Sequence, residues 1–321
     1  MATTIGIDIG GSSVEAVTRD EMGRIVDRYH LPERLQGGSH VAASALAAVR
    51  ALDLTDCVAV GVGVPGQVDQ STGLMRLAVN LGIGAEPFDL VSQVENVIGL
   101  PVAIENDVRA AALGAHEMMT LAGTGPNSLA LLSIGTGISA GVVVDGILLR
   151  GAHGMAGEVG HVVVDESGPI CRCGQRGCLE AVAAGPAIGR AWPRGDSDGA
   201  ATALFAAAAA GDSAAVKVAS RITGHITTAL IWLAAAYDTE VVVLAGGVAS
   251  VGEAFLGVVR EQIVRRAASS ELAARRLRPE QVTLADAVDP PGARGAALLA
   301  ARHSLQERVS PAGKQASNAN E

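Results

Sequence analysis

Residues 4–13 read Thr4-Ile-Gly-Ile-Asp8-Ile-Gly10-Gly11-Ser12-Ser13, an apolar run that stops at glycines and hydroxyls. A short apolar run bounded by turn residues predicts a buried strand and a tight turn. Residues 14–17 and 25–29 continue as strands around a turn at 20–23. A second passage repeats the scheme: Leu129-Ala-Leu-Leu-Ser-Ile134 runs into Gly135-Thr136-Gly137, then a strand at 141–144, a turn at Asp145-Gly146 and a third strand. The echo implies two related halves. Between and after these passages the periodicity predicts helices at 40–52, 91–98, 108–117, 199–210, 213–237, 251–267 and 293–303. Strands are predicted at 58–64, 101–104, 240–245 and 281–284. Strands alternating with helices indicate an α/β fold.

The 321 residues suit two domains better than one core. Forty glycines, with only three Phe, two Trp and two Tyr, suggest close backbone approaches and argue against a base-stacking nucleic-acid surface. A formal charge of −9 supplies no field toward phosphate polymers or anionic lipid, so neither a nucleic-acid nor a membrane partner is expected. The uncharged run 118–144 contains Pro126 and five glycines and reads as loop plus strands. No basic segment followed by an apolar stretch opens the chain, so a soluble cytoplasmic protein is expected.

Three glycine-rich turns each follow an apolar strand: Gly10-Gly11-Ser12, Gly135-Thr136-Gly137 and Gly246-Gly247. Glycines let backbone N–H groups approach a phosphate, although any one of these is equally an ordinary turn. Asp8, at a strand end, suits Mg²⁺ held through water. Glu105-Asn106-Asp107 lies where a strand meets a helix. A carboxylate there serves as a general base or, on the local sequence alone, as a cap of that helix. The sharpest signal is Glu158-Val-Gly-His161 followed by Cys171-x-Cys173-x4-Cys178 and Glu180. One imidazole and three thiolates complete a tetrahedral zinc site with no open position, which makes the metal structural. Cys57 stands apart and reads as core packing.

On the Glu-x-Gly-His and Cys-x-Cys-Gly-x-x-Gly-Cys-x-Glu signature together with the glycine turns, the chain resembles the ROK family of the actin-like/hexokinase-like ATPase superfamily, from Asp8 to the helix near Ala300. The resemblance implies two ribonuclease-H-like α/β domains with a central cleft and a structural zinc motif. The smaller domain is then 1–115, completed by the helix at 293–303. The larger is 116–292, and a disordered tail covers 304–321. The resemblance also implies an ATP-dependent hexose kinase, foremost a glucokinase, with an N-acetylglucosamine or N-acetylmannosamine kinase as the alternative and a non-catalytic sugar sensor as a third reading. Asp107 matches the base for the sugar's O6 hydroxyl. Gly66, Asn106, Asp107, Glu158, His161 and Glu180 match sugar-binding positions, and Asn80 joins them. Asp8, Gly10, Gly11, Ser12, Gly135, Thr136, Gly137, Gly246 and Gly247 match the ATP and Mg²⁺ segments, and His161, Cys171, Cys173 and Cys178 the Zn²⁺ ligands. His161 would serve metal and sugar at once. A homodimer or homotetramer is implied too. Two departures stand out: Ser12-Ser13 replaces the usual Thr-Lys, losing a charge, and Gly82-Ile83-Gly84 replaces a frequent Pro-Gly-Trp near the sugar.

Overall fold

The computed structural model describes residues 1–194, 199–268, 270–286 and 288–309. The chain forms two compact units, Met1–Leu121 with the chain from Pro290 on, and Ala122–Asp289.

The first unit runs β1 (Thr3–Ile9), β2 (Val14–Asp20), β3 (Ile25–Leu31), α1 (Gly38–Arg50), β4 (Cys57–Val64), β5 (Gln67–Asp69), β6 (Leu74–Arg76), β7 (Phe88–Asp89), α2 (Leu90–Ile98), β8 (Val102–Asn106) and α3 (Asp107–Leu121). Its main sheet has the order β3-β2-β1-β4-β8. β1, β4 and β8 are parallel, while β2 and β3 pair antiparallel. Parallel strands covered on both faces need continuous apolar runs, and β4 is buried along nearly its whole length. Cys57 is buried at its start. The strands β5, β6 and β7 make a small antiparallel sheet that periodicity overlooks, because each is only two or three residues long.

The second unit runs β9 (Ser128–Ile134), β10 (Ile138–Val144), β11 (Ile147–Leu148), α4 (Leu179–Ala183), α5 (Gly185–Ala191), α6 (Ala200–Ala209), α7 (Ser213–Tyr237), β12 (Val241–Ala245), α8 (Glu253–Ala267), α9 (Glu271–Arg276) and β13 (Val282–Leu284). The sheet order β11-β10-β9-β12-β13 repeats that of the first unit, with the same strand directions. Its helices pack an apolar core in which Phe205 and Phe255 meet edge to face, ring centres 5.2 Å apart.

The last helix, α10 (Pro291–Val309), returns to the first unit. It lies so close to β1, β4 and α3 that a Cβ on Gly6, Gly61 or Gly114 would strike its backbone. It also runs six residues beyond the expected end at 303. Leu305 to Arg308 are good helix formers and prolong a helix already packed at its start. That corrects the non-structured reading for 304–309; residues 310–321 of that expected tail lie outside the described residues. Likewise α3 continues unbroken through 115, so the units divide after Leu121 and after Asp289. Among the described residues, no single helix is long and apolar enough to cross a membrane.

Candidate active site

In the first unit the decisive corner is the junction of β8 and α3. Asp107 is the first residue of α3, and the cap is its neighbour: Asn106 Oδ1 accepts the backbone N–H of Arg109 at 3.1 Å. The local reading of Asp107 as the cap therefore gives way to Asn106. The Asn106 amide donates to the Gly66 carbonyl at 3.2 Å, and Asp107 Oδ1 accepts the Val108 N–H at 2.9 Å. Gly66 has φ +91°, and a Cβ there would lie 2.7 Å from the Arg76 carbonyl oxygen.

Asp8, at the end of β1, flanks the same corner: a Cβ on the intervening Gly63 would be 3.5 Å from both Asp8 Oδ1 and Asp107 Cα. Burial first, then the nearby charges of Asp107 and Glu15, push the Asp8 carboxyl well above the usual range. The first glycine turn closes through the Gly10 N–H to the Ser13 carbonyl at 2.9 Å, and the Ser12 carbonyl accepts from Glu33. Asn80 lies beside this turn, its Cβ 3.8 Å from where a Gly11 Cβ would be.

In the second unit the turn Gly135-Thr136-Gly137 joins β9 to β10 and closes through Gly135 N–H to the Gly137 carbonyl at 2.9 Å. The third turn abuts the second strand end, since the Val248 N–H donates to the Ile134 carbonyl at 2.9 Å. Gly246 lies against that same carbonyl, and the Gly247 carbonyl accepts from Ser250 Oγ. Glu180, the second residue of α4, accepts the Ile138 N–H at 3.1 Å on one oxygen and Arg172 Nε at 2.9 Å on the other. The residue expected at the sugar is thus also tied to the end of the second glycine turn.

Glu158 leads into the 3₁₀ turn Val159–His161, its carbonyl accepting the His161 N–H. That segment lies flat on β10, where a Cβ on Gly160 would run into the Ile138 carbonyl. His161 Nδ1 is 3.6 Å from Cys171 Sγ, Cys173 Sγ is 3.6 Å from Cys178 Sγ, and all four donor atoms lie within 4.8 Å of one another. Donors around a tetrahedral zinc with bonds of roughly 2.0–2.3 Å stand about 3.3–3.8 Å apart, a spacing that the two 3.6 Å pairs match, and the donor types suit zinc. Burial opposes a thiolate at Cys173, but hydrogen bonds from Gln175 and the neighbouring thiols outweigh it and bring the group to about 6. Cys178, buried and facing the other sulfurs, is pushed up to about 12. A divalent cation supplies the charge that lets three clustered thiols ionise together.

The family model described as "ROK family" matches residues 4–303. The chain belongs to the ROK family. Among ROK relatives, a glucokinase from Halalkalibacterium halodurans is 35% identical over 80% of this chain and 84% of its own length. An N-acetylmannosamine kinase from Citrobacter koseri is 32% identical over 84% and 92%. A crystal structure of a ROK family glucokinase from Streptomyces griseus, in complex with glucose and AMPPNP, superposes with a TM-score of 0.76 at 32% identity, covering 94% of this chain and all of that one.

Sequence reasoning left Gln70, Arg109 and Arg172 without roles. Glu105 and Arg109 are four apart on the entry to a helix, a spacing that signals an ion pair, and they form one at 2.7 Å. Nothing local connects Gln70 or Arg172 to their carboxylate partners.

Proposed function

We propose that this chain is an ATP-dependent hexose kinase, foremost a glucokinase, in which Asp107 takes the proton of the sugar's O6 hydroxyl as that oxygen attacks the γ-phosphorus of ATP, the bond from that phosphorus to the bridging oxygen breaks and ADP leaves. The observation that carries the reading is the β8–α3 corner. Asn106 caps α3 by accepting the Arg109 N–H, and the Asp107 carboxylate stands at the helix start with one oxygen on the Val108 N–H. There an anion is stabilised and can accept a proton as the alkoxide develops.

Gly66, Asn106, Glu158, His161 and Glu180, joined by Asn80, hold the remaining hydroxyls. Zn²⁺ on His161, Cys171, Cys173 and Cys178 fixes the imidazole direction, leaving Nε2 for the sugar. Asp8, Gly10, Gly11, Ser12, Gly135, Thr136, Gly137, Gly246 and Gly247 would hold ATP and Mg²⁺, with Asp8 as the residue that would take the metal. When bound, Mg²⁺ and ATP supply charge neutralisation and the transferable phosphoryl group. The proposal includes a cytoplasmic homodimer or homotetramer.

The test is a panel of sugars assayed with ATP. Glucose is expected to give the highest kcat/KM, and Asp107→Ala to lose roughly a hundredfold or more in kcat while sugar binding survives. An Asp107→Ala enzyme within about tenfold of wild type, some 1.4 kcal/mol of barrier, would refute the base assignment. An N-acetylhexosamine kinase is the alternative, supported by the 32% identity with the N-acetylmannosamine kinase from Citrobacter koseri. A preference for an N-acetylated sugar in the same panel selects that reading, and tight sugar binding with no phosphorylated product selects the sensor.

A further inference from the structure

Asp107 is bracketed by a charged pair that the proposed proton transfer does not use. Glu105 is wholly buried, and Arg109 is 2% exposed. Glu105 Oε1 accepts both the Asn106 N–H at 2.9 Å and Arg109 Nε at 2.7 Å. Its other oxygen accepts the side-chain amide of Gln70, from the turn after β5. The Arg109 backbone N–H returns to Asn106 Oδ1. Two bonds therefore span Asp107, one from Glu105 to the Arg109 side chain and one from Asn106 to the Arg109 backbone. Any rotation of the peptide carrying Asp107 must break both. Gln70 adds a third anchor from the small sheet, whose entry residue Gly66 also holds Asn106.

Stability alone does not account for this pair. Removing two charges from water costs about as much as their attraction returns, and a well-packed apolar pair of similar volume is commonly neutral or better. Electrostatics points the same way. Asp8, Glu15 and Asp107 act on one another at one corner, and Arg109 is the cation bonded to Glu105, two residues before Asp107.

We infer that Glu105, Arg109 and Gln70 are positioning residues for Asp107, setting the direction of its carboxylate without touching sugar or nucleotide. The inference rests on the reading of Asp107 as the base. A displacement of about 1 Å at a reacting group can cost a hundredfold in rate. The double variant Glu105→Leu/Arg109→Met removes the tether while keeping an apolar core. It is expected to melt near the wild-type temperature and to keep sugar affinity and KM for ATP within about threefold. Its kcat should fall roughly ten- to a hundredfold. Arg109→Lys restores a cation and should recover part of that loss. Gln70→Ala, at an exposed turn, should lower kcat about threefold while lowering the melting temperature by only a few degrees.

A folded double variant with kcat within twofold of wild type overturns the inference. If the double variant does not fold, the single variant decides: wild-type kcat in Gln70→Ala overturns it. A wild-type protein that phosphorylates no sugar fails the kinase reading first and takes this inference with it, a result distinct from an active enzyme indifferent to these substitutions.

Discussion

Replacing Gly66 by Ala tests the corner through its backbone. At φ +91° an alanine is strained, and the new Cβ would lie 2.7 Å from the Arg76 carbonyl oxygen, 2.8 Å from the Ala78 nitrogen and 2.9 Å from Ala78 Cα. These are backbone atoms, so no side-chain rotation relieves the contact. Ordinary carbon–oxygen contacts are about 3.3 Å or more, so the two strands must part by roughly half an ångström. A residue held in a sparsely populated backbone region costs about 1–3 kcal/mol, which at roughly 2–4 °C per kcal/mol lowers the melting temperature by some 2–12 °C. The movement also pulls the Gly66 carbonyl from the Asn106 amide, now 3.2 Å away, and that hydrogen bond is worth about 1 kcal/mol. Together with misdirection of Asn106 and Asp107, kcat/KM for sugar should fall about tenfold. Calorimetric melting and a coupled assay of ADP release read the two effects. Gly257→Ala, in α8, is the control, because a Cβ there meets nothing and its φ is not positive. If Gly66→Ala melts within a degree of wild type and keeps kcat/KM within twofold, the argument from this backbone conformation is wrong.

Two further outcomes follow from the charges and the metal ligands. Because the folded-state value of Asp8 is raised, its favourable share of stability is complete below the unfolded-state value of about 4 and is lost as pH rises through the folded value. Asp8→Asn should therefore melt above wild type at pH 8, with the gap closing toward pH 4, while activity is lost; a gap independent of pH contradicts the assignment. Purified protein should contain about one zinc per chain, and its removal by a chelator should lower both the melting temperature and sugar affinity, because His161 is proposed to serve both. Zinc-free protein with unchanged sugar affinity, measured by calorimetric titration, removes that link.

Much of the site was readable locally. The Cys171-x-Cys173-x4-Cys178 spacing and His161 announce their own cluster, because four strong ligands within eighteen residues have one economical arrangement. The glycine turns were visible for a similar reason, each ending an apolar strand. What stayed hidden depends on partners distant in sequence. Gln70 meets Glu105 across thirty-five positions, and Glu180 reaches Ile138 across forty-two. Neither spacing has a period that a single chain segment displays. Asn106 and Asp107 are both good caps, and only the last turn of β8 decides which of them enters the helix.

From sequence alone came the α/β alternation, the repeated strand–turn–strand scheme and the ROK signature, since apolar period, turn chemistry and ligand spacing act over a few residues. Tertiary structure decided where α10 goes, which residue caps α3 and which carboxylates are bonded. Those outcomes depend on close backbone approach and desolvation, and both arise only when segments far apart in the chain are brought into contact.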